Sequence, residues 1–164
     1  MNNDWEKSIA FVLKEEGLYS NDPNDKGGET NFGISKRSYP NLDIKLLTVD
    51  KAKEIYIKDF WNVCHCDELP FPLSIAVFDS AVNQGVGAAS RMLQIALNVT
   101  VDGVIGPKTI AAAFKSEFVG VRRFLTQRMV RYIDTIAKDP TQRVFAENWA
   151  GRLIRLTQLC FSND

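Results

Sequence analysis

The chain has 164 residues, with 20 basic and 20 acidic side chains, no net charge and 45% hydrophobic residues. That is one domain's worth of chain with enough apolar content for one core, which excludes a largely disordered protein. A single histidine, His65, excludes a zinc hydrolase built on two or three imidazoles, and no run of about 18 apolar residues is present to span a membrane.

The opening residues carry neither a basic stretch nor an apolar core, so no secretory signal is expected. Residues 4–16 read as a helix, with Trp5, Ile9, Val12 and Leu13 at helical spacing, Asn3 or Asp4 as cap and Gly17 as terminator. Residues 18–34 are dense in turn formers. They predict a small hairpin-like lobe, with short strands at 18–20 and 29–33 and with Tyr19, Phe32 and Ile34 as anchors. Thr48 caps a helix to about Trp61, with Ala52, Ile55, Tyr56 and Phe60 inward. Pro72 suits the first turn of a helix to about Asn83. Gly85 and Gly87 break the chain before a helix to about Leu97. A tight loop, 98–106, leads to a short helix from Pro107, then to long helices over 117–137 and 141–161. The expected fold is mainly α, with a small β-hairpin or loop-rich lobe near the N-terminus.

Residues 1–85 hold 14 acidic and 9 basic side chains, and residues 86–164 hold 6 and 11. The acidic half suits acid catalysis. The basic half, with Arg122, Arg123, Arg128, Arg131 and Lys138, suits an anionic polymer or a membrane surface, or else both halves are solvated faces. The expected division is a catalytic region at 1–85 and a helical region at 86–164, packed as one unit. Neutral charge and an acidic N-terminal half argue against nucleic acid. Cys64, Cys66 and Cys160 are odd in number and read as reduced. Cys64-His65-Cys66 resembles half a metal site, but no second pair follows, so a structural role is expected and no metal or cofactor.

Glu16 is the most informative residue. At about 100° per residue it falls inside the stripe of Trp5, Ile9, Val12 and Leu13, while Glu15 falls outside it. A carboxyl on the buried side of a helix's last turn meets two influences that favour its protonated form, desolvation and the negative helix end. That is the state a general acid needs; the alternative is a terminal glutamate that reaches solvent. Asp22, Asp25 and Thr30 follow in the turn-rich lobe. Asp25 on a loop folding back would set a second carboxyl across from Glu16, the arrangement of most glycosidases. Thr30 would hold a water through its hydroxyl. Room for that water favours inversion at the anomeric carbon. Asn83 and Gln84, beside a glycine turn, suit sugar hydroxyls or helix capping. Tyr19 and Trp61, with Phe32 and Tyr56, are aromatic surfaces for sugars or for the core.

Glu16-Gly17-Leu18-Tyr19, Asn21-Asp22-Pro23, Asp25, Gly27-Gly28, Thr30-Asn31 and Gly33-Ile34 resemble the start of glycoside hydrolase family 108. Leu18 stands where that family usually has a second glycine. Ala52, Ile55-Tyr56, Phe60-Trp61 and the run 78–85 continue the likeness. Leu93-Gln94, Leu97, Asp102-Gly103, Gly106-Pro107 and Thr109 resemble a peptidoglycan-binding segment. The resemblance implies a lysozyme-like N-acetylmuramidase, many relatives being phage endolysins, with Glu16 as the catalytic glutamate. It implies bacterial peptidoglycan as partner, a monomer without stable membrane insertion, and release from the host cytoplasm through a separate pore protein. The rival readings are a lytic transglycosylase and a non-catalytic wall-binding protein.

Overall fold

Trp5, Ser8, Ile9 and Val12 line the buried side of α1 (Asn3–Glu16), as their spacing requires. Gly17 follows with a φ of 76°, the left-handed conformation that ends the helix. The computed structural model describes residues 3–21 and 28–162. Within the small lobe, β1 (Thr30–Asn31) pairs antiparallel with β2 (Ile34–Ser35), Thr30 opposite Ser35 and Asn31 opposite Ile34. The connecting residues Phe32 and Gly33 both have positive φ, 51° and 76°, as a two-residue type I′ turn demands. The strand predicted at 29–33 is therefore cut short by its own turn. The one predicted at 18–20 is reduced to a bridge between Ser20 and Thr30.

Two polar side chains fasten the lobe to the body. Buried Asn31 donates from Nδ2 to the Ile44 carbonyl at 3.1 Å. Tyr56 donates its hydroxyl to the Phe32 carbonyl at 2.7 Å, which holds the turn from below. Tyr56 belongs to α2 (Val49–Tyr56), capped by the Thr48 hydroxyl and continued by a π-helical turn at Ile57–Trp61. Trp5, Trp61 and Phe78 meet with ring centroids 5.3–5.6 Å apart, the aromatic centre of the core.

The pivot is α3 (Leu73–Gln84), buried at every residue from Leu73 to Ala81. A helix apolar nearly all round must be enclosed. Here α1, α4 (Val86–Leu97), α5 (Pro107–Lys138) and α6 (Ala146–Phe161) enclose it. The short helix expected from Pro107 gives way to the long one where the sequence places the boundary: the span Pro107–Lys138 breaks at Glu117, whose φ of 46° and ψ of −142° are not helical. The helix expected at 141–161 starts later: Pro140–Phe145 is a 3₁₀ turn, and α6 begins at Ala146.

The segment Leu93-Gln94…Asp102-Gly103 has a local explanation. Gln94 is buried, and its amide donates to Asp102 Oδ1 at 2.6 Å and to the Val104 carbonyl at 2.9 Å. Its own carbonyl accepts from the Gly103 N–H at 2.8 Å. The motif therefore builds the loop that feeds α5. Cys64, Cys66 and Cys160 are free and buried, and burial pushes the Cys160 thiol up to about 12. His65 lies exposed between the first two, with Nδ1 2.7 Å from Glu68 Oε1. Among the described residues no three His, Cys, Asp or Glu side chains come together as a metal site.

Candidate active site

Glu16 is the last residue of α1, and its side chain is 19% exposed. The β-hairpin covers it from one side. A Cβ added to Gly33 would stand 2.6 Å from Glu16 Oε2 and 2.8 Å from its Cβ and Cγ. Gly33 is thus required twice, by its positive φ and by the close approach of the glutamate. Gly33→Ala is expected to cost at least about 1 kcal/mol from the left-handed backbone alone and to displace the Glu16 side chain. A thermal melt and a wall-lysis assay check this; a variant as stable and active as the wild type would refute it.

From the other side the carboxyl meets α6. Arg152 donates from Nη1 to Glu16 Oε1 at 2.7 Å. It also donates from Nε and Nη2 to Asp79 Oδ1, at 3.0 and 2.7 Å. Asp79, on α3, is fully buried, and its second oxygen accepts from Arg128 Nη1. Arg128 is fully buried too; its Nε donates to the Tyr132 hydroxyl at 3.1 Å, which in turn donates to Asn83 Oδ1 at 2.7 Å. Burial works against the charge on Arg152, but the anions of Asp79 and Glu16 outweigh it and raise its pKa. Burial likewise raises Tyr56, with the Glu16 charge adding to the effect. The surroundings of Glu16 thus differ from the apolar setting read off the helix: a guanidinium occupies one of its oxygens.

Glu15 is not the free surface carboxylate that its helical phase suggests. Arg155 grips it with two bonds, Nε to Oε1 at 2.6 Å and Nη2 to Oε2 at 2.8 Å. The hydrogen bond from Arg155 holds the Glu15 carboxyl below the usual range. Both glutamates therefore bind α6, and the Glu15 side chain, 7% exposed, is the more enclosed of the two, against the order its helical phase predicts.

Other expected site residues distribute unevenly. Thr30 sits on β1, three residues before Gly33 and in the same hairpin. Asp25, with Asp22, lies outside the described residues. Tyr19 exposes its ring and donates its hydroxyl to Glu29 Oε1 at 3.0 Å. Asn83 and Gln84 end α3 half-buried; among the described residues Gln84 Oε1 is buried without a hydrogen-bond partner. Trp61 requires correction as a sugar contact, because it is 5% exposed and packed edge-on against Trp5 and Phe78. Arg128 requires correction as part of a surface run, because it points into the core while Arg122, Arg123, Arg131 and Lys138 remain exposed.

Sequence reasoning missed the roles of Asp79, Arg152 and Arg155 and placed Arg128 on the wrong face. One signal was present: Asp79 is the lone charge in the apolar run 73–82. A charge enclosed in such a helix must be paired. Which cation pairs with it depends on how α5 and α6 return to α3.

Helices wrapped around one buried helix, a small hairpin beside them and a carboxyl held between the two define a lysozyme-like, mainly α protein. The chain belongs to the glycosyl hydrolase 108 family, whose model matches residues 9–85, and a model described as a predicted peptidoglycan domain matches residues 88–154. It is similar to a solved structure, that of Brucella abortus SagA, at 32% sequence identity and a TM-score of 0.82, over 98% of this chain and 96% of that one. Among curated proteins none matches. The two families make the chain a glycoside hydrolase acting on peptidoglycan.

Proposed function

We propose that the protein is an N-acetylmuramidase, cutting the β-1,4 bond between N-acetylmuramic acid and N-acetylglucosamine. The observation that carries this is the placement of Glu16, at a helix end and pressed between the Gly33 turn and Arg152. Glu16 protonates the leaving oxygen as the bond breaks. Asp25 stabilises positive charge at the anomeric carbon or activates water, and Thr30 helps to position that water. Tyr19, Asn83 and Gln84 contact the glycan. The setting we propose is that of a phage endolysin in host lysis, made in the bacterial cytoplasm and passed to the wall through a separate pore protein; the family resemblance supports it.

Mass spectrometry of products from purified peptidoglycan tests the reaction. Muropeptides with a reducing N-acetylmuramic acid end are expected. Anhydro-muramic ends would indicate a lytic transglycosylase, and uncut glycan a binding protein. With Asp25 acting through water, the first-formed anomer seen by NMR is α; β would show retention.

A further inference from the structure

Resting on the reading of Glu16 as the acid, we infer that Arg152 is its positioning residue and that Glu16 Oε2 is the oxygen that carries the proton. The two oxygens of Glu16 are not equivalent. Oε1 accepts from Arg152 Nη1 at 2.7 Å. Oε2 is the atom turned toward the hairpin, 2.6 Å from where a Gly33 Cβ would stand. An oxygen already holding a guanidinium N–H is poorly placed to donate a proton. Oε2, the oxygen facing the small lobe, carries no guanidinium among the described residues.

Arg152 can hold Glu16 because something else holds Arg152. Two of its N–H groups go to Asp79 and one to Glu16, so a planar fork bridges two carboxylates at once. Asp79 is anchored again by Arg128, and Arg128 by Tyr132. With Glu16 ionised the formal charges of Glu16, Asp79, Arg128 and Arg152 cancel; with Glu16 protonated the two guanidiniums share Asp79. When Glu16 takes up its proton, Arg152 still has Asp79 and does not follow the substrate. A buried cation is never left without an anion, and the guanidinium plane stays put through the cycle.

The arrangement crosses the boundary between the two matched families. Glu16 and Asp79 lie in the segment matched by the hydrolase family, and Arg128 and Arg152 in that matched by the peptidoglycan domain. The second segment therefore supplies part of the catalytic machinery, whatever else it binds.

The test is steady-state turnover of solubilised glycan strands by the full chain carrying Glu16→Gln, Arg152→Gln, Arg152→Lys or the Glu16→Gln/Arg152→Gln pair. Lysine keeps the charge beside Asp79 but lacks the planar fork. Misplacing a reacting group by about 1 Å costs on the order of a hundredfold. Arg152→Gln is thus expected to lower kcat about a hundredfold with KM within about threefold, and Arg152→Lys at least tenfold, with no further loss when Arg152→Gln is added to Glu16→Gln. Should Arg152→Gln fail to fold, Arg152→Lys decides. A folded Arg152→Lys with wild-type kcat overturns the inference. So does a loss confined to KM, which would make Arg152 a substrate contact. If Glu16→Gln itself stays active, the reading of Glu16 fails, and that result is independent of Arg152.

Discussion

Glu16→Gln is expected to lower lytic activity by about a thousandfold, within the range a positioned general acid contributes, with a melting transition close to that of the wild type. Glutamine fills the same space beside Gly33 and still accepts from Arg152 through its carbonyl oxygen. Its amide, turned toward the hairpin in place of Oε2, has no proton to give the leaving oxygen. Glu15→Gln is the matched control. Its carboxyl is one residue away but held by both oxygens on Arg155 and away from Gly33 and Arg152, so activity within about threefold of wild type is expected at temperatures where the variant stays folded. Turbidity clearing of purified walls at matched enzyme concentration, with circular dichroism melts, reads both. Equal losses from the two variants would mean that the placement of Glu16 has no special chemical meaning.

Asp79→Ala has the largest expected effect on stability. Asp79 is fully enclosed and receives hydrogen bonds from Arg128, itself fully buried, and Arg152, nearly so. Removing the anion leaves two guanidiniums deep in the body with only Glu16 nearby to compensate. Removing one member of a buried ion pair costs about 3–5 kcal/mol. For a chain of this size that corresponds to a fall in Tm of roughly 10 °C or more. Asp79→Asn keeps the shape and one acceptor and is expected to lose less. Urea unfolding followed at the tryptophans gives the value. A loss below about 1 kcal/mol for the alanine variant would show that water reaches the cluster and that the arginines do not depend on Asp79.

The sequence by itself determined the helical body and the place of Glu16. Periodic apolar residues and explicit stops, such as Gly17 after α1 and Pro107 at the start of α5, are local signals that any packing must respect. The residue order from Glu16 to Ile34 likewise carried the family, and among the described residues three of the motif positions answer to nearby geometry: Gly17 and Gly33 for positive φ, and Asn31 to fasten the lobe. The break at Glu117, where the backbone is not helical, left a visible seam in the pattern. What only the tertiary structure decided is the electrostatics. Arg152 is 136 residues from Glu16, and Arg128 is 49 from Asp79. On a helical wheel an arginine among apolar neighbours and one on a solvated face look alike. Arg128 was thus indistinguishable from Arg131 until α5 was laid against α3, where it joins Arg152 in pairing with the buried Asp79. Trp61 shows the same limit from the apolar side. An aromatic residue suits a sugar or a core equally well by type, and its enclosure by Trp5 and Phe78 follows from helix packing that no local spacing encodes.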